Sequence, residues 1–196
     1  AMSMPWCFGL IDPPFRQGVF NNLVDSIVAG NKALTAGDVG FHYLIEALTR
    51  GGASDLIFDM VNRDDVPGYG YQLRKGATAL TESWAALEIV SNNHLMLGHV
   101  MEWFYAGLGG IGQSPSSTGY QEIEIRPEVV GDLTFVNTSF RSPYGWIRSD
   151  WKRDGDQVTF DIDIPHNTTA TLFLPPEFSG LVSVNDKKAG TVKPQT

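Results

Sequence analysis

The chain has 196 residues, a formal net charge of -8 at pH 7, 42% hydrophobic and 11% aromatic residues, and one cysteine. The acidic balance argues against nucleic acid or an anionic membrane as partner, since both are held by clustered Lys and Arg. With Cys7 alone there is no intramolecular disulfide and no cysteine metal site, and no apolar run approaches a membrane span.

The opening Ala1-Met2-Ser3-Met4-Pro5 lacks the basic-then-apolar layout of a signal peptide, and Ala1 ahead of a Met reads as a cloning scar on a piece of something longer. Helical spacing then begins. Val19, Phe20, Leu23, Ile27 and Val28 predict a helix over Phe15 to Ala29. Phe41, Leu44, Ile45 and Leu48 predict a second over Phe41 to Thr49, closed by Gly51-Gly52. A third covers Ala53 to Asn62, Pro67 to Tyr71 reads as a loop, and two more helices are expected over Leu80 to Leu87 and His94 to Leu108. Helix, glycine-bearing turn, helix is how an α/α toroid is assembled. About five helices are too few for a ring of six hairpins, so residues 1–112 read as the last part of such a barrel.

From Gly119 the period changes to two. Gln121 to Pro127, Trp146 to Lys152, Gln157 to Pro165 and Thr169 to Leu174 are expected strands, with Asp154-Gly155-Asp156 as a hairpin turn. Short strands at this spacing predict a small antiparallel β-sandwich over residues 113–196. The boundary falls in the loop-like Gly109 to Ser117 segment.

The residues that carry chemistry lie in Gly76 to Trp84 and Ser91 to Val100. They bring Glu82, Trp84 and His94 together ahead of a helix. A carboxylate handles a proton, a ring stacks on the apolar face of a sugar, and an imidazole reads a hydroxyl, which is what a glycosidase site needs. Tyr69 and Tyr71, on a glycine-flanked loop, are candidates for substrate contact. Asp38 and His42 follow a turn at the same barrel mouth. His99, Glu102 and Trp103 fit the face pattern of their helix and read as structural. No metalloprotease, P-loop, dinucleotide or calcium-loop motif occurs, so neither cofactor nor metal is expected.

Taken in order, Thr35 to Gly40, Tyr69-Gly70-Tyr71, Gly76-Ala77-Thr78, Glu82-Ser83-Trp84, Asn93-His94, Gly98 with Glu102-Trp103, Ile123 to Pro127, Tyr144-Gly145 and Pro165 to Ala170 resemble the C-terminal part of the bacterial α-L-rhamnosidases, glycoside hydrolase family seventy-eight. The resemblance implies a six-fold α/α barrel followed by a β-sandwich, and hydrolysis of terminal α-L-rhamnose with inversion. It places the general base on Glu82 and a sugar-contacting His on His94, with the general acid upstream of this chain. Thr81, Ser83 and Ala85 depart from the family's Trp, Arg and Asp, Tyr69 replaces a common Trp, and the Glu82–His94 loop is short.

The partners implied are a rhamnose-containing carbohydrate and the N-terminal remainder of the same protein, with self-association of the exposed half-barrel. Cytoplasm, periplasm and secretion all stay open. Two other readings stand beside this one: the same barrel acting on another sugar, and a carbohydrate-binding or structural module with Tyr144, Trp146 and Trp151 as stacking rings.

Overall fold

The structure, a computed structural model, describes residues 2–174, 178, 180–184 and 187–192. The chain divides into two compact units, residues 1–103 and 104–196.

The first unit is helical: α1 (Ser3–Cys7), α2 (Pro13–Ala29), α3 (Asp38–Arg50), α4 (Ser54–Asn62), α5 (Tyr69–Arg74), a 3-10 turn (Leu95–His99) and α6 (Val100–Trp103). Proline at the start of α2 suits a position whose N–H has no helical partner. In α3, Asp38 in the first turn and Arg50 in the last both complement the helix dipole. Its buried face, Phe41, Leu44, Ile45, Ala47 and Leu48, is the centre of the unit, packed against α1, α4, α6 and the 3-10 turn. Gly51 ends α3 where the Phe20 ring of α2 lies so close that a Cβ would collide with it. Trp103 is fully buried and donates its indole N–H to Ser54 Oγ at 2.8 Å.

Three of the expected helices form nearly where the spacing puts them. Residues 80–87 do not: they form an irregular segment of bends and a turn. Thr81 Oγ1 donates to Ser83 O at 2.6 Å, and Ser83 Oγ accepts the Ala85 N–H at 3.2 Å, so the side chains take backbone partners that a helix would need. Ala86 has φ 50°, outside any right-handed helix. Pro67 to Tyr71, read as a loop, runs instead into α5. The long helix expected over His94 to Leu108 is broken into the 3-10 turn, α6 and a π-helical turn (Phe104–Leu108). Tyr69 Oη donates to the Leu97 carbonyl within the 3-10 turn.

The second unit begins with that π-helical turn and continues as strands: β1 (Ile111–Gln113), β2 (Glu122–Ile125), β3 (Phe135–Ser142), β4 (Gly145–Asp154), β5 (Gln157–Asp163), β6 (Thr169–Leu172), β7 (Gly180–Val184) and β8 (Lys187–Val192). They form sheets of order β1-β2-β6, β3-β4-β5 and β7-β8. The segment expected to be a bare linker thus supplies β1, paired antiparallel with β2. The β2–β6 pair is parallel, with Ile123 opposite Ala170, which departs from an all-antiparallel sandwich. The β4–β5 hairpin turns at Gly155-Asp156, as the sequence predicts, with Gly155 at φ 58° where a side chain would be strained.

Ile111, Ile123 and Ile125 from one sheet meet Ile147 from the other, with Tyr120, Phe140 and Ile162 packed around them. Trp151 is 2% exposed and donates its indole N–H to Leu108 O at 2.9 Å. Of the three rings considered for stacking, only Tyr144 and Trp146 face outward.

Candidate active site

The segment from Leu80 to His94 is a pinched loop. His94 N–H donates to Leu80 O at 2.7 Å and Glu82 N–H donates to Ser91 O at 2.8 Å, so two backbone bridges close its neck. The Glu82 carboxylate adds a third tie: its Oε2 accepts the Ser91 N–H at 3.1 Å. A charge-assisted bond of this kind holds the carboxylate in one place. Glu82 stands exposed at this neck.

Two anchors fix the loop to the stretch that leads into α3. Trp84 donates its indole N–H to Ala36 O at 2.6 Å, and His94 Nε2 lies 3.1 Å from Asp38 Oδ2. Trp84 is 8% exposed, with its ring edge-on to Phe41 at 4.8 Å and to Tyr69 at 5.1 Å. Its ring area is therefore spent on packing beneath the loop. Tyr69 is part of the same cluster, and burial pushes its phenol well above the ordinary tyrosine range. Gln72, buried on α5, donates to Ser83 O at 3.3 Å.

The residues singled out in the sequence fall into two groups. Glu82, His94 and Asp38 come together at the loop neck or its anchor, with polar atoms reachable from outside. Trp84 and Tyr69 lie under the loop. Tyr71 stands on α5, half-buried, with Lys75 Nζ 5.7 Å from its ring centre. His42 pairs with Glu102 at 3.1 Å and packs against His99 at 5.2 Å. Sequence reasoning missed the Ser91 amide and the Ala36 carbonyl. The run Ser91-Asn92-Asn93 was the available turn signal for the first, while a main-chain acceptor such as Ala36 leaves no mark in side-chain chemistry. Among the described residues, no group of three or more His, Cys, Asp or Glu is placed to hold a metal, and no helix is long and apolar enough to cross a membrane.

A helical unit that carries this carboxylate-bearing loop is thus followed along the chain by a unit of β-strands. The chain belongs to the bacterial α-L-rhamnosidase family: residues 1–108 match the bacterial alpha-L-rhamnosidase 6 hairpin glycosidase domain, and residues 110–189 match the bacterial alpha-L-rhamnosidase C-terminal domain. It is 29% identical over 184 residues to an alpha-L-rhamnosidase of Streptomyces avermitilis, covering 89% of this chain and 18% of that protein. It is 26% identical over 189 residues to one from Formosa agariphila, covering 92% of this chain and 20% of that one. Among solved structures, the alpha-L-rhamnosidase from Dictyoglumus thermophilum superposes with a TM-score of 0.88 at 26% identity, over 95% of this chain and 21% of that one. The S. avermitilis alpha-L-rhamnosidase complexed with L-rhamnose superposes at 0.83 and 26% identity, over 97% of this chain and 20% of that one. The chain thus spans about a fifth of the length of the relatives it matches.

Proposed function

We propose that this chain supplies the end of the catalytic barrel and the β-sandwich of an inverting glycoside hydrolase that removes terminal α-L-rhamnose. Glu82 is the general base. It takes a proton from the water that attacks the anomeric carbon, while a carboxyl from outside these 196 residues protonates the leaving oxygen. In inverting enzymes the two carboxyls stand about 6.5–9.5 Å apart to admit that water. His94 reads a sugar hydroxyl, oriented by Asp38. Tyr71 borders the sugar, and Trp84 and Tyr69 form the floor that keeps the loop in place.

The observation that supports this most is the loop neck. The Ser91 amide occupies one carboxylate oxygen of Glu82. That bond holds the carboxylate at the neck, where Glu82 is exposed and so within reach of an attacking water. The relatives are named alpha-L-rhamnosidases, and one was solved with L-rhamnose, which favours rhamnose over another sugar.

The test is hydrolysis of an aryl α-L-rhamnoside by the longer protein that carries this chain, comparing wild type with Glu82→Gln. Loss of several orders of magnitude in kcat with KM little changed is the expected result. A near-wild-type Glu82→Gln enzyme would put the base elsewhere. Activity on other aryl glycosides but not on the rhamnoside would move the sugar assignment.

A further inference from the structure

The β3-β4-β5 sheet has two faces, and only one is used by the sandwich core. Ile147 of β4, Phe140 of β3 and Ile162 of β5 point inward. The opposite face carries an open hollow of about 450 Å³ whose lining includes Phe135, Asn137, Asp150, Lys152, Thr159 and Asp161. Register explains the grouping: Phe135 lies opposite Lys152, which lies opposite Thr159, and Asn137 lies opposite Asp150, which lies opposite Asp161. Two adjacent cross-strand rows therefore aim their side chains into one hollow.

We infer that this hollow is a binding site for a neutral, unbranched oligosaccharide, separate from the loop around Glu82. Its chemistry is mixed as polyhydroxyl ligands require. Asp150 and Asp161 accept, Lys152 and Thr159 donate, and Asn137 does both. The acceptors are held in advance: Asp150 Oδ1 takes the Thr138 N–H at 3.0 Å, and Arg148 Nη2 lies 3.2 Å from Asp161 Oδ2. Fixed polar groups spare a ligand the cost of ordering them. Phe135, 62% exposed at one end of the hollow, offers a ring to the C–H face of a sugar.

The shape favours a chain over a single ring. Trp146, 60% exposed, lies on the same face opposite Arg141. From Phe135 to Arg141 along β3, at about 3.3 Å per residue, the two rings stand about 20 Å apart. Between them lie the polar rows and Arg148. An anionic ligand is disfavoured, because around the hollow three carboxylates stand against two cations, Arg148 and Lys152, and Asp150, Asp161 and Asp163 all border Arg148, within 3.7, 3.2 and 2.8 Å. The same pairing argues against a divalent cation, which would have to displace the guanidinium.

The experiment titrates the 196-residue chain with neutral tetrasaccharides that lack rhamnose (gluco-, xylo- and galacto-series), following binding by calorimetry and by amide shifts of β3 to β5. Saturable binding to at least one series is expected. Phe135→Ala and Asp161→Asn, both on solvent-facing positions, should each weaken it about tenfold or more, while Glu82→Gln should leave it unchanged. No saturable binding in any series would overturn the proposal, as would binding that survives both sheet substitutions. Binding lost in Glu82→Gln would assign the effect to the barrel loop and overturn it equally.

Discussion

At the scale of single residues, Cys7 illustrates how a protein can silence its one thiol. Its Sγ lies 3.4 Å from the Tyr43 carbonyl, and burial, aided by the Glu46 charge, pushes its pKa up to about 11 from the usual 9.0. A raised folded-state value means that the unfolded chain loses this proton first. Stability from this group is full below about pH 9 and is lost as pH rises towards 11. Urea unfolding midpoints should therefore fall across that window in wild type, and fall less in Cys7→Ala. Alkylation by iodoacetamide at pH 8 should run well below the rate of a free cysteine, because so little thiolate is present. A midpoint indifferent to pH above 9 would show that Cys7 is not shielded.

At the scale of elements, the loop from Leu80 to His94 depends on what lies under it. Trp84→Phe keeps an aromatic ring but removes the donor to Ala36 O. Leaving that carbonyl unpaired should cost about 1–3 kcal/mol, read by chemical denaturation. It should also speed proteolysis at the tip, where Ile89 is 91% exposed. This loop is also where the sequence was hardest to read. Ala85, Ala86, Leu87 and Glu88 are good helix formers, and local propensity points to a helix. Side-chain bonds from Thr81 and Ser83, with the reach of Trp84 to a carbonyl forty-eight residues earlier, decide otherwise. By contrast, α2, α3 and α4 were legible because their burial follows a 3.6-residue period. The β4–β5 hairpin was legible because its turn chemistry is local. Strand β1 and the parallel seat of β6 were not, since pairing partners distant in sequence leave no local signal. Glu82 and His94 were legible as candidates; the amide that holds the carboxylate was not.

At the scale of the whole molecule, apolar side chains stand open on the helical unit. Phe8, Leu10, Phe15, Leu73 and Leu95 are among its exposed hydrophobics. Surface of this kind on a folded unit favours association. Light scattering across a concentration series should show growth beyond a monomer. The same preparation should give no turnover of aryl rhamnosides, because one carboxyl of the proposed pair is absent. A monodisperse monomer at high concentration, or Glu82-dependent turnover, would contradict these expectations. The seat of β6 beside β2 has a consequence for synthesis. Ile123 and Ile125 leave the ribosome long before Thr169 to Leu172, so the first sheet waits with one edge of β2 bare while β3, β4 and β5 zip up as neighbours along the chain. During that interval the vacant edge is a template for any strand of matching pattern, and the strand nearest in kind is β6 from another nascent copy. Crowded translation would then yield dimers that trade this strand, while slow, dilute translation lets each chain close its own sheet.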